Sequence, residues 1–299
     1  IAIADVNTFA GVVRGFEAAL ELAETQAIRF IVATRIMTRE GITLLAYPKT
    51  KQGYSNLCRL LTKGKRATKK GQCDLGIEDI IEWQDQIVWV MRDPDSHHAH
   101  IAVLSDLPDF HLGLAPHFDG QDAARFAAIK ALAEEHALPL CALGNVMMHR
   151  ANRRPLADIL SCIRETCTID QLGRRAQLNA ERRLRSPFEL KRVFAGYEDA
   201  LAAAARIADM ARFSLKELAY QYPDEVMDGE DPQTRLTRLT DEGLRWRYPE
   251  GVSLKNQQLV AKELALIAKK NYAAYFLTAS FGLRQDGRCL RSQRIILEY

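Results

Sequence analysis

The stretch Ile3-Ala4-Asp5-Val6-Asn7-Thr8-Phe9-Ala10-Gly11-Val12-Val13-Arg14 decides the fold class. Residues 1–4 read as a buried strand, and Asp5 to Thr8 supply turn and capping side chains. A helix comes next, with Val13, Phe16, Leu20 and Ala23 on one face at 3.6-residue spacing. The chain opens on Ile rather than Met, so residue 1 is expected to lie inside an element whose natural start is upstream. Working outward, strands are predicted at 28–33, 43–47, 87–90, 101–104, 111–114 and 138–143, with helices at 54–61 and 123–136. Such alternation predicts a parallel α/β sheet or barrel over the first 143 residues. In that architecture chemistry gathers at the C-terminal ends of the strands. Asp5, Arg35 and Asn145 each come just after a predicted strand and are the positions to inspect.

Composition bounds the rest. The 299 residues suffice for one large domain or two ordinary ones, and 47% hydrophobic with 26% charged residues is a globular balance. No run of eighteen apolar residues occurs and no basic-then-apolar leader opens the chain, so a membrane helix is excluded and a cytoplasmic protein expected. Net charge is only +3, so the bulk field does not announce a nucleic-acid binder. Positive charge is local: Lys63, Lys65, Arg66, Lys69 and Lys70 form one cluster, and Arg174, Arg175, Arg182, Arg183, Arg185, Lys191 and Arg192 a second. Either cluster suits a phosphate backbone, and either reads equally as a solvated loop or helix face. Six cysteines (Cys58, Cys73, Cys141, Cys162, Cys167, Cys289) lie without a CxxC pair, as in a reducing compartment. Residues 155–213 are mostly helical, and 220–232 are acidic and proline-bearing, the best linker. Helices are predicted at 233–247 and 254–270, then an apolar stretch at 272–277. Residues 279–299 carry four arginines and no periodicity.

Three groups of residues carry a family resemblance. The first is the opening stretch 3–14. The second is Arg153-Arg154-Pro155-Leu156-Ala157-Asp158-Ile159-Leu160-Ser161-Cys162-Ile163-Arg164, with Leu178-Asn179-Ala180-Glu181-Arg182-Arg183-Leu184. The third is Phe213-Ser214-Leu215-Lys216-Glu217-Leu218 with Tyr222-Pro223-Asp224-Glu225. It continues in Arg247-Tyr248-Pro249-Glu250-Gly251, Glu263-Leu264-Ala265-Leu266-Ile267 and Tyr272-Ala273-Ala274-Tyr275-Phe276-Leu277-Thr278. Together these resemble the front part of the bacterial C-family DNA polymerases. Tyr47-Pro48 with Leu57-Cys58-Arg59-Leu60-Leu61-Thr62 leans toward the error-prone branch over the replicative alpha subunit.

The resemblance implies an incomplete β/α barrel of the polymerase-and-histidinol-phosphatase (PHP) type at 1–220, its later part helical from about 151. The beginning of a palm domain would come next at 221–278, then an aberrant tail at 279–299, reflecting a frame change after Thr278 or an inserted element. PHP domains resemble phosphoesterases with a trinuclear metal cluster of His, Asp and Glu, and the family's first H-x-H pair would precede Ile1. Asp5 matches a ligand position. The usual glutamate reads as Arg35, the expected aspartate as Asn145, and a neighbouring histidine as Met147, with His149 nearby. A guanidinium and an amide in place of carboxylates remove two negative charges, so no metal ligands, cofactor-binding residues or catalytic residues are assigned in this chain.

Two further groupings compete for a site. His97-His98-Ala99-His100 contains an H-x-H but comes after Asp93-Pro94-Asp95 in a polar loop, without matching carboxylate spacing. Cys162 and Cys167 read as small core thiols.

The polymerase reaction would use palm carboxylates holding two magnesium ions. The acids here, Asp241, Glu242, Glu250 and Glu263, fall on or beside two predicted helices without the strand context that reaction needs. For the intact family member the resemblance implies an error-prone, DNA-directed nucleotidyltransferase acting in translesion synthesis and repair. Its substrates would be DNA and deoxynucleoside triphosphates, its partners a sliding clamp and an accessory polymerase-like protein. The alternatives are a stand-alone PHP-type phosphoesterase and a non-catalytic PHP scaffold.

Overall fold

Strand pairing organises the first part of the chain. The structure, a computed structural model, describes residues 1–23, 28–218 and 229–277. The chain divides into two compact units, Ile1–Leu218 and Ala219–Tyr299.

In the first unit, β1 (Ala2–Val6) leads through α1 (Val12–Ala23) to β2 (Ile31–Met37), and β3 (Thr43–Pro48) comes directly after. Helices α2 (Lys51–Arg66) and α3 (Ile77–Glu82) precede β4 (Ile87–Arg92), and α4 (Ile101–Leu104) precedes β5 (Phe110–Leu114). Helix α5 (Asp122–Glu135) leads to β6 (Leu140–Ala142), after which the chain is helical: α6 (Arg154–Glu165), α7 (Ile169–Leu172), α8 (Pro187–Val193) and α9 (Glu198–Met210). The strands form one sheet in the order β1-β2-β3-β4-β5-β6.

The fold is mixed α/β, and it departs from the uniformly parallel sheet expected. β1–β2, β4–β5 and β5–β6 are parallel, whereas β3 runs antiparallel to both β2 and β4. The reason is local: the few residues between β2 and β3 are too short for a crossover and close a hairpin instead. A second departure is 101–104, predicted as a strand. It is α4, with Ile101 and Leu104 buried at i and i+3, and it belongs to the crossover that returns the chain parallel to β4. The first strand is not buried: β1 is a half-exposed strand at the end of the sheet.

Alternation along β4 fixes two cores. Ile87, Trp89 and Met91 join Ile36, Leu44 and Leu112 against Leu57 and Leu60 of α2 and Phe126 of α5. Val88 and Val90 face the other way and pack with Cys141, Leu143 and Ile207 of α9. A strand buried on both faces is apolar throughout, which is why 87–91 read so clearly as a strand.

Helix α1 has the predicted period but a different phase. Val12 is buried, while Val13 and Leu20 are 54% and 41% exposed. Gly15 sets this phase: a Cβ there would approach Ile3 Cδ1 to 2.5 Å and Phe30 Cε2 to 2.6 Å. Helix α6 is apolar outward, burying Ala157, Asp158, Ser161 and Cys162 while Ile159, Leu160 and Ile163 face solvent.

In the second unit α10 (Pro232–Arg247) and α11 (Leu254–Lys270) form where predicted, each opened by a capping side chain, Asp231 and Ser253. Leu236, Ile267, Ala273 and Leu277 make its core. Residues 220–228 of the predicted linker and all of 279–299 lie outside the described residues.

The packing is testable at two positions. Gly53 of α2 lies so close to β4's lead-in that a Cβ would come within 2.1 Å of the Gln86 carbonyl oxygen. Gly53→Ala is expected to lower stability by about 1–3 kcal/mol, read as a drop in denaturation midpoint; an unchanged midpoint contradicts this packing. Asp79 is buried, accepts from the Gly76 N–H at 2.8 Å and pairs with Lys63 at 2.6 Å. Burial pushes its carboxyl up, but the Gly76 N–H and Lys63 outweigh burial and hold it below the ordinary range. Its stabilisation is therefore present above the unfolded carboxyl's pKa of about 4 and lost as pH falls through the lower folded value. Asp79→Asn should lower the midpoint at pH 7 and flatten its fall on acidification, measured by denaturation across pH 2–7.

Candidate functional site

The C-terminal ends of β2, β4 and β6 form the candidate site. Register decides which side chains share it. Arg35 pairs with Leu45, and Leu45 with Val90, so these three project to one face of the sheet. Arg92 lies two residues beyond Val90 along β4 and returns to that same face. This is the face covered lower down by Val88, Val90 and Ile207.

Asp5 goes elsewhere. It pairs with Thr34, not Arg35, so the pleat turns it to the side of α1. There its Oδ2 accepts from the Gly11 N–H at 2.7 Å, at the entry to α1. Asn7, next in the turn, adopts a left-handed φ of 49° that asparagine tolerates, and its Oδ1 accepts from Met37 N at 2.9 Å. Asp5 thus secures a turn rather than facing a rim shared with Arg35 and Asn145.

Asn145 does meet an arginine. It too has a positive φ, 45°. Arg182 Nη2 donates to Asn145 Oδ1 at 2.7 Å and its Nε to the Asn145 carbonyl at 3.0 Å. The backbone fixes this approach, because Met147 N and Met148 N donate to the Arg182 carbonyl and Leu184 N to that of Met148. Met147 and His149, which the resemblance sets at or near a histidine position, are exposed on this loop.

The remaining rim groups come from the ends of β4 and β5. Arg92 Nε lies 3.0 Å from Asp93 Oδ2, and the other oxygen of Asp93 lies 3.3 Å from His117 Nε2. Asn179 ties this end to the 182 segment by donating to the His117 carbonyl at 2.9 Å. Arg35 has no carboxylate within ion-pair distance, and its buried Nε has no hydrogen-bond partner. Burial pulls the Arg35 guanidinium below its usual range, with repulsion from Arg92 adding and attraction to Asp5 opposing. Arg182 is drawn down to about 10 by burial first and then by Arg92 and Arg35. The three guanidiniums therefore raise one another's electrostatic free energy.

Such a donor set does not suit a metal cluster: guanidiniums are cations and offer no lone pair to a metal ion. Among the described residues no three His, Cys, Asp or Glu side chains are placed to hold a cation. His97 and His100 have ring centroids 6.4 Å apart in 3-10 turns before α4, and His98 is exposed. Cys162 is buried and Cys167 half-buried, neither in a disulfide. Asp241 and Glu250 are exposed, Glu242 pairs with Arg238 at 3.0 Å, and Glu263 is half-buried on α11.

The two basic clusters are partly spent on the fold. Lys63 pairs with Asp79 and Glu82, leaving Lys65, Arg66, Lys69 and Lys70 exposed around the C-terminal end of α2. In the second cluster Arg175 pairs with Glu165, Arg183 with Glu189, and Arg185 with Glu181 while stacking 4.2 Å over Phe118. Only Arg174, Lys191 and Arg192 of that group are both exposed and without an ion pair.

Sequence reasoning missed Arg92 and treated Arg182 as part of a charge run and of the resemblance stretch 178–184, without linking it to Asn145. Arg92 was findable, since it ends an apolar strand, whereas Arg35 lies inside β2. Arg182 reaches Asn145 from 37 residues away, and no periodicity links them.

Comparison with known proteins places the chain. No protein-family model matches it. The error-prone DNA polymerase 1 of Rhizobium meliloti (strain 1021) is 39% identical over 287 residues, covering 93% of this chain and 25% of that protein. The error-prone DNA polymerase of Ruegeria pomeroyi is 39% identical over 317 residues, covering 93% and 29%. That of Rhodopseudomonas palustris (strain BisB5) is 38% identical over 310 residues, covering 100% and 27%. The chain spans between a quarter and three tenths of the length of these relatives. Over 93–100% of its length the chain is similar to one region of bacterial proteins named error-prone DNA polymerase.

Proposed function

We propose that this chain is the PHP-type domain and the beginning of the palm of an error-prone DNA polymerase. The single observation that carries this is the match of 93–100% of the chain to proteins so named. In this reading the six-stranded sheet of residues 1–218 is the incomplete PHP barrel, the domain running to about 220. Helices α10 and α11 then open the palm, taken as 221–278, with 279–299 an aberrant tail.

The activity proposed for the whole polymerase is nucleotidyl transfer from deoxynucleoside triphosphates to a DNA primer, supporting synthesis past damaged template. Magnesium would supply the Lewis-acid chemistry there by neutralising the attacking and leaving oxygens. The acids on and between α10 and α11 do not form a constellation that fits two such ions, so no step is assigned to Asp241, Glu242, Glu250 or Glu263. The sliding clamp and the accessory polymerase-like protein are proposed partners of the whole enzyme through other parts of its length. A cytoplasmic location accords with this role, and no described helix is long and apolar enough to cross a membrane.

For this region itself, Arg35, Arg92 and Arg182 at the rim favour a non-catalytic role over a metallo-phosphoesterase. Held partly out of water, such cations repel a divalent ion.

Two measurements test the reading. The purified 299-residue chain should carry no stoichiometric zinc or manganese by elemental analysis and should not hydrolyse a nitrophenyl phosphate ester. Two or three metals per chain, with hydrolysis lost in Asp93→Asn, would establish the phosphoesterase instead. In a primer-extension assay with magnesium the chain alone should incorporate no nucleotide. Incorporation abolished by Glu263→Ala would place the polymerase active site on α11 and overturn the assignment.

A further inference from the structure

The rim holds more cation than its own anions neutralise. On the Val90 face of the sheet, Arg35 and Arg92 project from positions two strands apart, which puts their backbones on the order of 10 Å from each other. Arg182 arrives from the 182–184 segment, held over the loop after β6 by Met147, Met148 and Asn145. Among the described residues Asp93 is the one carboxylate in ion-pair contact with any of the three, and it is shared between Arg92 and His117. Arg182 hydrogen-bonds only to neutral acceptors, the carbonyl and amide oxygens of Asn145 and Gln177 Oε1. Arg35 has no carboxylate partner, and its Nε is enclosed without an acceptor. Asp5, the other nearby acid, is turned to Gly11 on the opposite side of the strand.

Partly buried guanidiniums without counterions are unfavourable unless something negative completes them. The planar fork of arginine matches the paired oxygens of phosphate. We propose that Arg35, Arg92 and Arg182 form a metal-independent binding site for a phosphate group. The occupant would accept from the terminal nitrogens of Arg35 and the unused donors of Arg92 and Arg182, replacing repulsion among them with a shared counterion. The group could belong to a nucleic acid or to a small free phosphate, and the test separates these. The inference rests on the rim alone and stands or falls independently of the polymerase reading.

The test uses the full 299-residue chain in dilute chloride buffer with EDTA, so that no divalent ion contributes. Isothermal titration with sodium pyrophosphate should show one saturable site per chain. Arg35→Gln and Arg92→Gln should each weaken it at least tenfold, and Arg66→Gln, on the exposed end of α2, should leave it unchanged. Arg35 makes no ion pair, so Arg35→Gln is the variant that keeps its fold, verified by circular dichroism. Displacement of pyrophosphate by a 5′-phosphorylated but not a 5′-hydroxyl oligonucleotide identifies a terminal nucleic-acid phosphate. Displacement by both identifies backbone phosphates, and by neither a small free anion; all three support the site. Absence of saturable binding in the wild type, or wild-type affinity in the folded Arg35→Gln chain, overturns it.

Discussion

The rest of the first unit depends on the burial of β4 on both of its faces. Five consecutive apolar residues, Ile87 to Met91, are fully enclosed, alternately against α2 and α5 on one side and α9 on the other. With these five enclosed, the pleat dictates where the next side chain along the strand must point. Arg92 must emerge on the Val90 face, and the hairpin-fixed register of β2 and β3 brings Arg35 onto the same face. A one-residue slip in either pairing would send one of the arginines into the larger core. Packing in the centre of the sheet therefore sets the electrostatics of its rim.

Those electrostatics are lopsided. A salt-bridged carboxylate normally offsets a guanidinium drawn from water, and Asp93 does so for Arg92. Arg35 and Arg182 receive no such offset; burial and neighbouring guanidiniums lower the tendency of each to hold its proton. The other half-buried arginines of the unit pair with carboxylates, as Arg125 with Asp119 at 2.6 Å or Arg183 with Glu189 at 2.6 Å. The exception is confined to the strand ends, where parallel sheets commonly present ligand-binding groups. The same distribution of charge disfavours a metal cluster and favours an anion.

Much of the fold was legible. β3, β4, β5, α10 and α11 are periodic or largely apolar, α5 is rich in alanine, and they form where the pattern places them. Residues 101–104 failed because a four-residue apolar run carries no period, and only the need for a crossover between β4 and β5 makes it helical. The phase of α1 failed because Gly15, rather than the larger apolar residues, marks the face of closest approach. Of the site, Arg35 and Asn145 were visible through their place after a strand. The inward commitment of Arg182 was not, since it depends on a long-range clasp with residues 145–148. Asp5 shows the limit of reading position alone: expected just after a strand, it lies inside β1, and alternation points it to a helix turn.

The rim's partly buried positive charge without a counterion is the central claim. The most direct measurement is the denaturant midpoint of Arg35→Met against wild type, in chloride buffer at pH 7. Methionine keeps most of the side chain's packing and removes only the charge and its unsatisfied nitrogen. Solvent screens a half-buried group, so the midpoint is expected to stay unchanged or to rise, by no more than about 1 kcal/mol in stability. A loss of about 2 kcal/mol or more would show instead that Arg35 is held by favourable interactions, which contradicts an uncompensated charge at the rim.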